Sequence, residues 1–201
     1  MSFGAAEAAG FARPLKGRST TFVVDGREAN AAFARATLPL LVRAFGRCTV
    51  LDLDALYASG PGDVLGGLSR GESESVELLV PGPDEELEEA LAQLLGGCRG
   101  GAVVVDSLNS LYHLFSTGGR GSRGRSLAYT SALLSYAARG AGTAAVFTMY
   151  RRDGGARPGR GRSISDATDA AAAATLGGGR LELKAQRGEL WPGGRLALPT
   201  A

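Results

Sequence analysis

Several acidic residues stand where apolar segments of the chain end, which is where a parallel sheet binds its ligands. Asp106 and Ser107 follow a run of alanine and valine, Asp52 and Asp54 end a second apolar run, and Asp25 ends a third. Continuous apolar runs of this kind are typical of central parallel strands that are covered on both faces. Ligands of such sheets bind beyond the carboxyl ends of the strands, and a carboxylate there can hold Mg²⁺ on a nucleotide. These acids are therefore the first candidates for a functional site.

Two segments rich in arginine and glycine form a second candidate site. Residues 118–125 come after the run that ends at Asp106, and residues 151–162 come after the next apolar run. Their arginines are Arg120, Arg123, Arg125, Arg151, Arg152, Arg157, Arg160 and Arg162. Arginine on a glycine-rich backbone contacts phosphates by charge and by its forked geometry, with little base information. We expect these residues to bind single- or double-stranded DNA, with a solvated basic loop or a site for an acidic protein as the open alternatives.

The composition of the chain excludes several classes of protein. With 201 residues, 44 % of them hydrophobic, the chain can bury a core and is not disordered throughout. Two cysteines and one histidine do not make a disulfide scaffold, a zinc site or a Ser-His-Asp triad, so we expect no metal site. No stretch approaches the roughly 18 apolar residues of a membrane span, and no signal peptide is recognisable. We therefore expect a cytoplasmic protein without a membrane partner.

The net charge of +2 conceals an uneven distribution of charge along the chain. Residues 48–90 hold eleven acids against Arg70 alone, whereas residues 120–162 hold nine arginines against Asp153 alone. A basic segment of this kind favours a polyanionic partner, nucleic acid first.

The pattern of apolar residues predicts alternating strands and helices. Residues 1–16 are expected to be a flexible N-terminal segment, and residues 17–201 a single core domain. Strands are predicted at 20–25, 48–53, 75–80, 102–106 and 143–149, helices at 28–45, 84–95, 126–139 and 164–174, and closing strands at 180–184, 189–191 and 195–198. This order predicts an α/β fold with a mostly parallel central sheet flanked by helices, which ends in a hairpin through residues 192–194.

The segment from Val103 to Tyr112, together with the two basic segments and the elements that follow it, resembles the ATPase core of the RecA-type recombinases. The likeness is greatest to the archaeal RadA group and its paralogues, with the KaiC-like ATPases next, and it covers roughly residues 15–198. It implies a RecA-like, P-loop-type fold, in which Asp106 ends the Walker B strand and the two basic segments lie where recombinases carry their DNA-binding loops. It also places Asp54 where a glutamate orients the attacking water, although aspartate is one methylene shorter.

The same resemblance identifies two departures from the family pattern. The phosphate loop needs Gly-x-x-x-x-Gly-Lys-Ser/Thr, and residues 26–33 offer Gly26 at the first position but Ala31, Ala32 and Phe33 at the last three. The strand that holds Thr148 lacks the glutamine that senses the terminal phosphate. The nucleotide site is thus predicted to be a degenerate one, and no cofactor is expected, neither ATP nor Mg²⁺. Its residues are Gly26, Arg27, Asn30, Asp106 and Ser107, and Asp54 and Asp106 are vestigial catalytic residues.

Three functions follow from these observations. The first is a catalytically inactive, RecA-like accessory factor in DNA recombination or repair, which contacts DNA through its arginines and binds a RecA-like homologue or a second copy of itself. The second is a KaiC-like regulatory or scaffolding protein that binds no DNA. The third is an ATPase with an unusual phosphate loop.

Overall fold

The computed structural model describes residues 4–59, 64–82, 85–115, 120–151 and 168–200 of the chain. The helices are α1 (Ala5–Ala12), α2 (Gly26–Phe45), α3 (Leu56–Ser59), α4 (Arg70–Ser73), α5 (Glu85–Gly97), α6 (Leu108–Leu114) and α7 (Arg120–Ala141). The strands are β1 (Arg18–Val24), β2 (Cys48–Asp52), β3 (Val76–Leu79), β4 (Ala102–Asp106), β5 (Ala144–Tyr150), β6 (Ala170–Gly177), β7 (Arg180–Arg187) and β8 (Arg195–Pro199). No helix within these ranges is long and apolar enough to cross a bilayer.

The described strands form one sheet in the order β3-β2-β4-β5-β1-β6-β7-β8. The strands from β3 to β6 in this order are parallel, and β7 and β8 continue the sheet as antiparallel neighbours. In register, Asp52 of β2 lies beside Asp106 of β4, and Val24 of β1 lies beside Tyr150 of β5. The sequence-predicted acids at the ends of β2 and β4 thus meet at one edge of the sheet, which we call the carboxyl edge.

Helices cover the two faces of the sheet and give each face its own core. On one face, α1 and α2 pack over an aromatic cluster in which Phe22 lies 4.7 Å from Phe33 and 6.3 Å from Trp191, measured between ring centroids. On the other face, α5, α6 and α7 bury leucines against β4 and β5. The predicted α/β fold with a mostly parallel sheet and a closing hairpin is therefore confirmed.

Helix α1 lies in the segment that the sequence predicts to be flexible. Its residue Phe11 is fully buried, and the Phe11 ring stacks on those of Phe22 and Trp191 at 6.4 Å from each. Burial of a phenylalanine contributes roughly 1.5–3 kcal/mol, which is enough to order a short helix against the core. Because alanines surround Phe11 in the sequence, the composition of this segment did not indicate that Phe11 is buried.

Two further elements differ from the sequence prediction. Residues 170–174, predicted to be helical, belong to strand β6, and residues 189–191 form no strand. A run of five alanines favours a helix by intrinsic propensity, but in the structure it pairs with β1 on one side and β7 on the other. Small side chains allow the α2 helix to approach the sheet at this strand, and tertiary packing overrides the propensity.

Gly101 fixes the start of β4, and its replacement tests the sheet geometry. A Cβ atom at this position would lie 2.2 Å from the carbonyl oxygen of Arg47, which is backbone and cannot rotate away. We expect Gly101→Ala to lower the free energy of unfolding by about 1–3 kcal/mol in chemical denaturation, as overpacking does in other cores. Gly100→Ala is the matched control, since its nearest neighbour is 4.0 Å away, and equal effects of the two variants would contradict the prediction.

Candidate functional site at the carboxyl edge

The turn from β1 into α2 occupies the place of the predicted phosphate loop. Helix α2 begins at Gly26, whose φ of +87° is in the left-handed region that glycine adopts without strain. Residues 26–33 therefore form the first two turns of a helix. Beyond the first four residues of a helix, each backbone N–H bonds to the carbonyl four residues earlier, so only the first N–H groups of α2 are available to a ligand.

The positions matched to glycine, lysine and serine or threonine lie on different sides of α2. Ala31 is partly buried, whereas Ala32 and Phe33 are 0 % and 1 % exposed. Phe33 packs in the aromatic cluster with Phe22. The side chain at the metal-ligand position of the predicted loop is thus part of the hydrophobic core.

Asp106 lies at the centre of a buried hydrogen-bond network. Asn30 Nδ2 donates to both carboxylate oxygens of Asp106, at 2.9 Å to Oδ1 and 3.0 Å to Oδ2, and Thr148 Oγ1 donates to Oδ1. Asn30 Nδ2 also lies 3.0 Å from the Tyr150 hydroxyl. Asp106, Asn30 and Thr148 are all fully buried. The network therefore ties α2 to the ends of β4 and β5.

Burial is the largest influence on the Asp106 carboxyl and raises its pKa to about 6. The hydrogen bonds from Thr148 and Asn30 act in the opposite direction, and the negative charges of Asp54 and Asp52 add to the rise. Burial also raises the pKa of Tyr150 to about 12, an effect that the nearby Asp106 and Asp54 increase and the positive charge of Arg27 reduces.

Asp52 is used to begin a helix. Its carboxylate accepts the backbone N–H groups of Leu56 at 2.8 Å, Tyr57 at 3.0 Å and Ala58 at 2.8 Å. A carboxylate at a helix N-terminus satisfies N–H groups that lack an intrahelical partner. Asp52 is buried and faces α3, so this acid has a structural role at the edge.

Asp54 and Ser107 lie close to Asp106 but make their own contacts. Ser110 Oγ donates to Oδ1 of Asp54, and Oδ2 of Asp54 is buried without a hydrogen-bond partner among the described residues. Ser107 caps α6, its hydroxyl accepting the N–H of Ser110 at 3.4 Å, and the peptide bond between Asp106 and Ser107 is cis. Three sequence-predicted residues, Asp54, Asp106 and Ser107, are thus brought together.

Two participants in this site were not identified from the sequence. Tyr150 contributes its hydroxyl to the network, and its N–H donates to Asn109 Oδ1 at 2.8 Å. Thr148 stands out in the sequence only as the position of a missing glutamine. A polar threonine at the carboxyl end of an otherwise apolar run is the sequence signal that could have indicated Thr148, which is buried in the structure.

The structure places the predicted DNA-binding arginines in different settings. Arg120, Arg123 and Arg125 lie in the first turns of α7, so the first basic segment is helical from residue 120 and not a loop throughout. A run without proline that leads into an apolar helix can extend that helix despite its glycines, at a cost of about 1 kcal/mol each. Arg125 and Arg151 are exposed, and the N–H of Arg151 bonds to the Val24 carbonyl at 2.9 Å. Arg152, Arg157, Arg160 and Arg162 lie outside the described residues.

Comparison with known proteins gives a structural match and no sequence match. No protein-family model matches the chain, and no curated protein matches it in sequence. By structure, 430 chains match. One is the crystal structure of the RadB recombinase, with a TM-score of 0.65 and 15 % sequence identity over 93 % of this chain and 87 % of that one. The chain has a RecA-like fold.

Within the RecA-like fold, the described residues that surround Asp106 are polar, but they do not form a typical set of metal ligands. No group of three or more His, Cys, Asp or Glu side chains in the described ranges is arranged to hold a metal ion. The donors that face Asp106 are an amide and a hydroxyl, both from this chain. Asn30 is therefore the central donor of the hydrogen-bond network at the carboxyl edge, in which Oδ1 of Asn30 and Oδ2 of Asp54 are buried without a hydrogen-bond partner among the described residues.

The raised pKa of Asp106 predicts a pH dependence of stability. In the unfolded chain an aspartate titrates near 3.8, so between pH 4 and pH 6 the folded state binds more protons than the unfolded state. The contribution of the Asp106 carboxyl to the stability of the fold is complete below pH 4 and is lost as the pH rises through 6. We expect Asp106→Asn to abolish this loss of stability. Between pH 4 and pH 7, its free energy of unfolding should rise by roughly 2–3 kcal/mol relative to that of the wild type, measured by chemical denaturation.

Glu72 provides a control of opposite sign. Its hydrogen bond and ion pair with Arg43, at 2.5 Å, lower its pKa to about 2. This group stabilises the fold above the unfolded pKa and loses that effect as the pH falls, so Glu72→Gln should lose stability relative to wild type as the pH rises. A pH profile of Asp106→Asn parallel to that of the wild type would contradict the assignment of Asp106.

Proposed function

We propose that the protein is a RecA-like accessory factor in DNA recombination or repair that does not hydrolyse ATP. The observation that carries this proposal is the bond from Asn30, on a helix that begins directly at Gly26, to both oxygens of Asp106. The fold similarity to a recombinase supports the recombination setting. The arginines at the carboxyl edge support contact with DNA.

The residues present do not suit a nucleoside triphosphate. A phosphate loop surrounds its phosphates with the backbone N–H groups of the loop and of the helix N-terminus that follows it. Here residues 30–33 are inside α2, and Glu28 places a negative charge in the first helical turn. Arg27 is the one positive side chain in this turn, and it is exposed. We therefore derive no step of the function through ATP.

Magnesium would meet a similar obstacle at Asp106. The ion requires oxygen ligands in an octahedral arrangement, directly or through water. Both oxygens of Asp106 already accept hydrogen bonds, and the Asn30 and Thr148 donors present their protons to the place a cation would take. Breaking these bonds in a buried site leaves donors without acceptors, which costs about 1–3 kcal/mol for each group.

Nucleotide titration tests the loss of catalysis. Isothermal titration with ATP and Mg²⁺ is expected to show no saturable binding at micromolar nucleotide, and a phosphate-release assay is expected to show no turnover. Turnover that disappears in both Asp106→Asn and Asp54→Asn would overturn this proposal and favour an ATPase with an unusual phosphate loop.

The arrangement of exposed arginines supports binding to DNA at the carboxyl edge. Arg151 follows the end of β5, is exposed, and begins the second arginine-rich segment, residues 151–162. Arginine forks bind phosphates without reading bases, so the proposed binding is independent of sequence and sensitive to salt.

Fluorescence anisotropy of labelled single-stranded DNA, measured across a salt series with and without Mg-ATP, tests this interaction. We expect the affinity for DNA to fall steeply as the salt concentration rises and to be the same with and without Mg-ATP. Replacing Arg151 with alanine should reduce the slope of log affinity against log salt by about 0.7 for each phosphate that is no longer neutralised. Arg70→Ala is the matched control, because Arg70 is exposed and precedes β3 at the opposite edge of the sheet. Absence of binding at low salt would favour a scaffolding protein that binds other proteins.

A further inference from the structure

Helices α5 and α7 lie side by side on one face of the sheet. They contact each other, and their apolar sides bury Leu87 and Leu94 of α5 and Leu127 and Leu134 of α7 in the same core. Each helix lies in the connection between two parallel strands, α5 between β3 and β4 and α7 between β4 and β5. Both helices therefore begin at the carboxyl edge and run in the same direction. Their outer sides therefore form one continuous surface, which we call the α5–α7 face.

The two helices carry opposite charge. Helix α5 contains four glutamates and no basic residue, whereas α7 contains four arginines and no acidic residue. Glu86, Glu88 and Glu89 are exposed on α5, and Arg125 is exposed on α7. No ion pair joins Arg125 to these glutamates in the described structure, although the two helices are neighbours. The α5–α7 face thus has an acidic half and a basic half.

Two tyrosines stand out from the basic half. Tyr129 is 67 % exposed and Tyr136 is 78 % exposed, the highest values among the described large hydrophobic side chains. The small residues Ala128 and Ala132 lie beside them on the exposed side of α7. Aromatic residues are enriched at protein contact surfaces.

The spacing of residues on the two halves is the same. Arg125, Tyr129 and Tyr136 follow one another at intervals of four and seven residues on α7. Glu88 and Ala92 on α5 are also four residues apart, and both are exposed. At 1.5 Å per residue, this shared interval is about 6 Å on each helix.

We propose that the α5–α7 face is the docking surface for a second copy of this chain. A two-fold axis parallel to the helices, between α5 and α7, places α5 of each copy on α7 of the other in the same direction. Arg125 then faces Glu88 of the second copy, and Tyr129 covers Ala92. Each contact occurs twice, as a two-fold interface requires.

The charge pattern favours a second copy over nucleic acid at this surface. A DNA strand on α7 would lie next to Glu86, Glu88 and Glu89, whose charges repel phosphates. A partner with both signs of charge in the same arrangement is the one that matches, and the chain itself has that arrangement. The helices share a length of about 20 Å. The interface is therefore small for a specific protein–protein contact, and we expect a weak dimer.

Sedimentation velocity of the full chain over a concentration series tests the proposal. We expect reversible dimerisation that weakens as salt increases, since exposed ion pairs are screened. Glu88→Arg and Arg125→Glu should each weaken the dimer about tenfold or more, because each places like charges opposite one another twice. The double variant, in which the two charges are exchanged, should restore dimerisation.

Glu182→Arg is the matched control, because it makes the same charge change on an exposed position of β7, at the far end of the sheet. All the variants alter exposed side chains, and circular dichroism with thermal unfolding will verify that they fold. A chain that stays monomeric at every concentration overturns the proposal, as does a dimer that the single variants and Tyr129→Ala leave unchanged. A monomer whose affinity for single-stranded DNA falls in Tyr129→Ala and Tyr136→Ala would assign the face to nucleic acid instead.

Discussion

The structure depends on the need to satisfy one buried carboxylate. Asp106 ends the central strand β4 and has no access to water. A buried charge is costly unless hydrogen bonds compensate for it, and part of the cost remains here as a raised pKa. Asn30 and Thr148 supply the donors, and both must be held at fixed positions by α2 and β5. The arrangement of three elements at the carboxyl edge follows from this requirement.

The direct turn from β1 into α2 is what allows Asn30 to reach Asp106. A phosphate loop between the strand and the helix would move the start of α2 along the chain and shift this side chain. Gly26 makes the sharp turn with a positive φ. Phe33, two turns into α2, holds the helix in place by packing in the aromatic cluster. In the same helix, Ala31, Ala32 and Phe33 stand where a phosphate loop needs glycine, lysine and serine or threonine, which is why the proposed function relates this network to a loss of catalysis.

Much of the sheet could be predicted from the sequence, because buried parallel strands appear as uninterrupted apolar runs. The run that ends at Asp106 corresponds to β4 with the observed ends, and the strand predicted at 48–53 extends one residue beyond the end of β2. The alanines at 170–174 were misleading, since their strand depends on pairing with β1, which is remote in sequence. Phe11 was missed for the same reason, as its partners Phe22 and Trp191 come from distant elements. At the site, the acids were found from strand ends, and Asn30 was named with Asp106 through the resemblance. The hydrogen bonds that join Asn30 and Thr148 to Asp106 were not predicted, because nothing local shows that these side chains face one another.

The proposed dimer and the proposed DNA contact are compatible in geometry. A two-fold axis parallel to α5 and α7 is also roughly parallel to the strands, because both helices run antiparallel to the strands that they connect. The carboxyl edges of the two copies then lie at the same end of the dimer, so Arg151 of each copy faces the same direction. Two weak, sequence-independent contacts that can engage one polyanion together bind it more tightly than either does alone. Self-association through the α5–α7 face would therefore increase the affinity of the carboxyl edge for DNA without any nucleotide, as the proposed function requires.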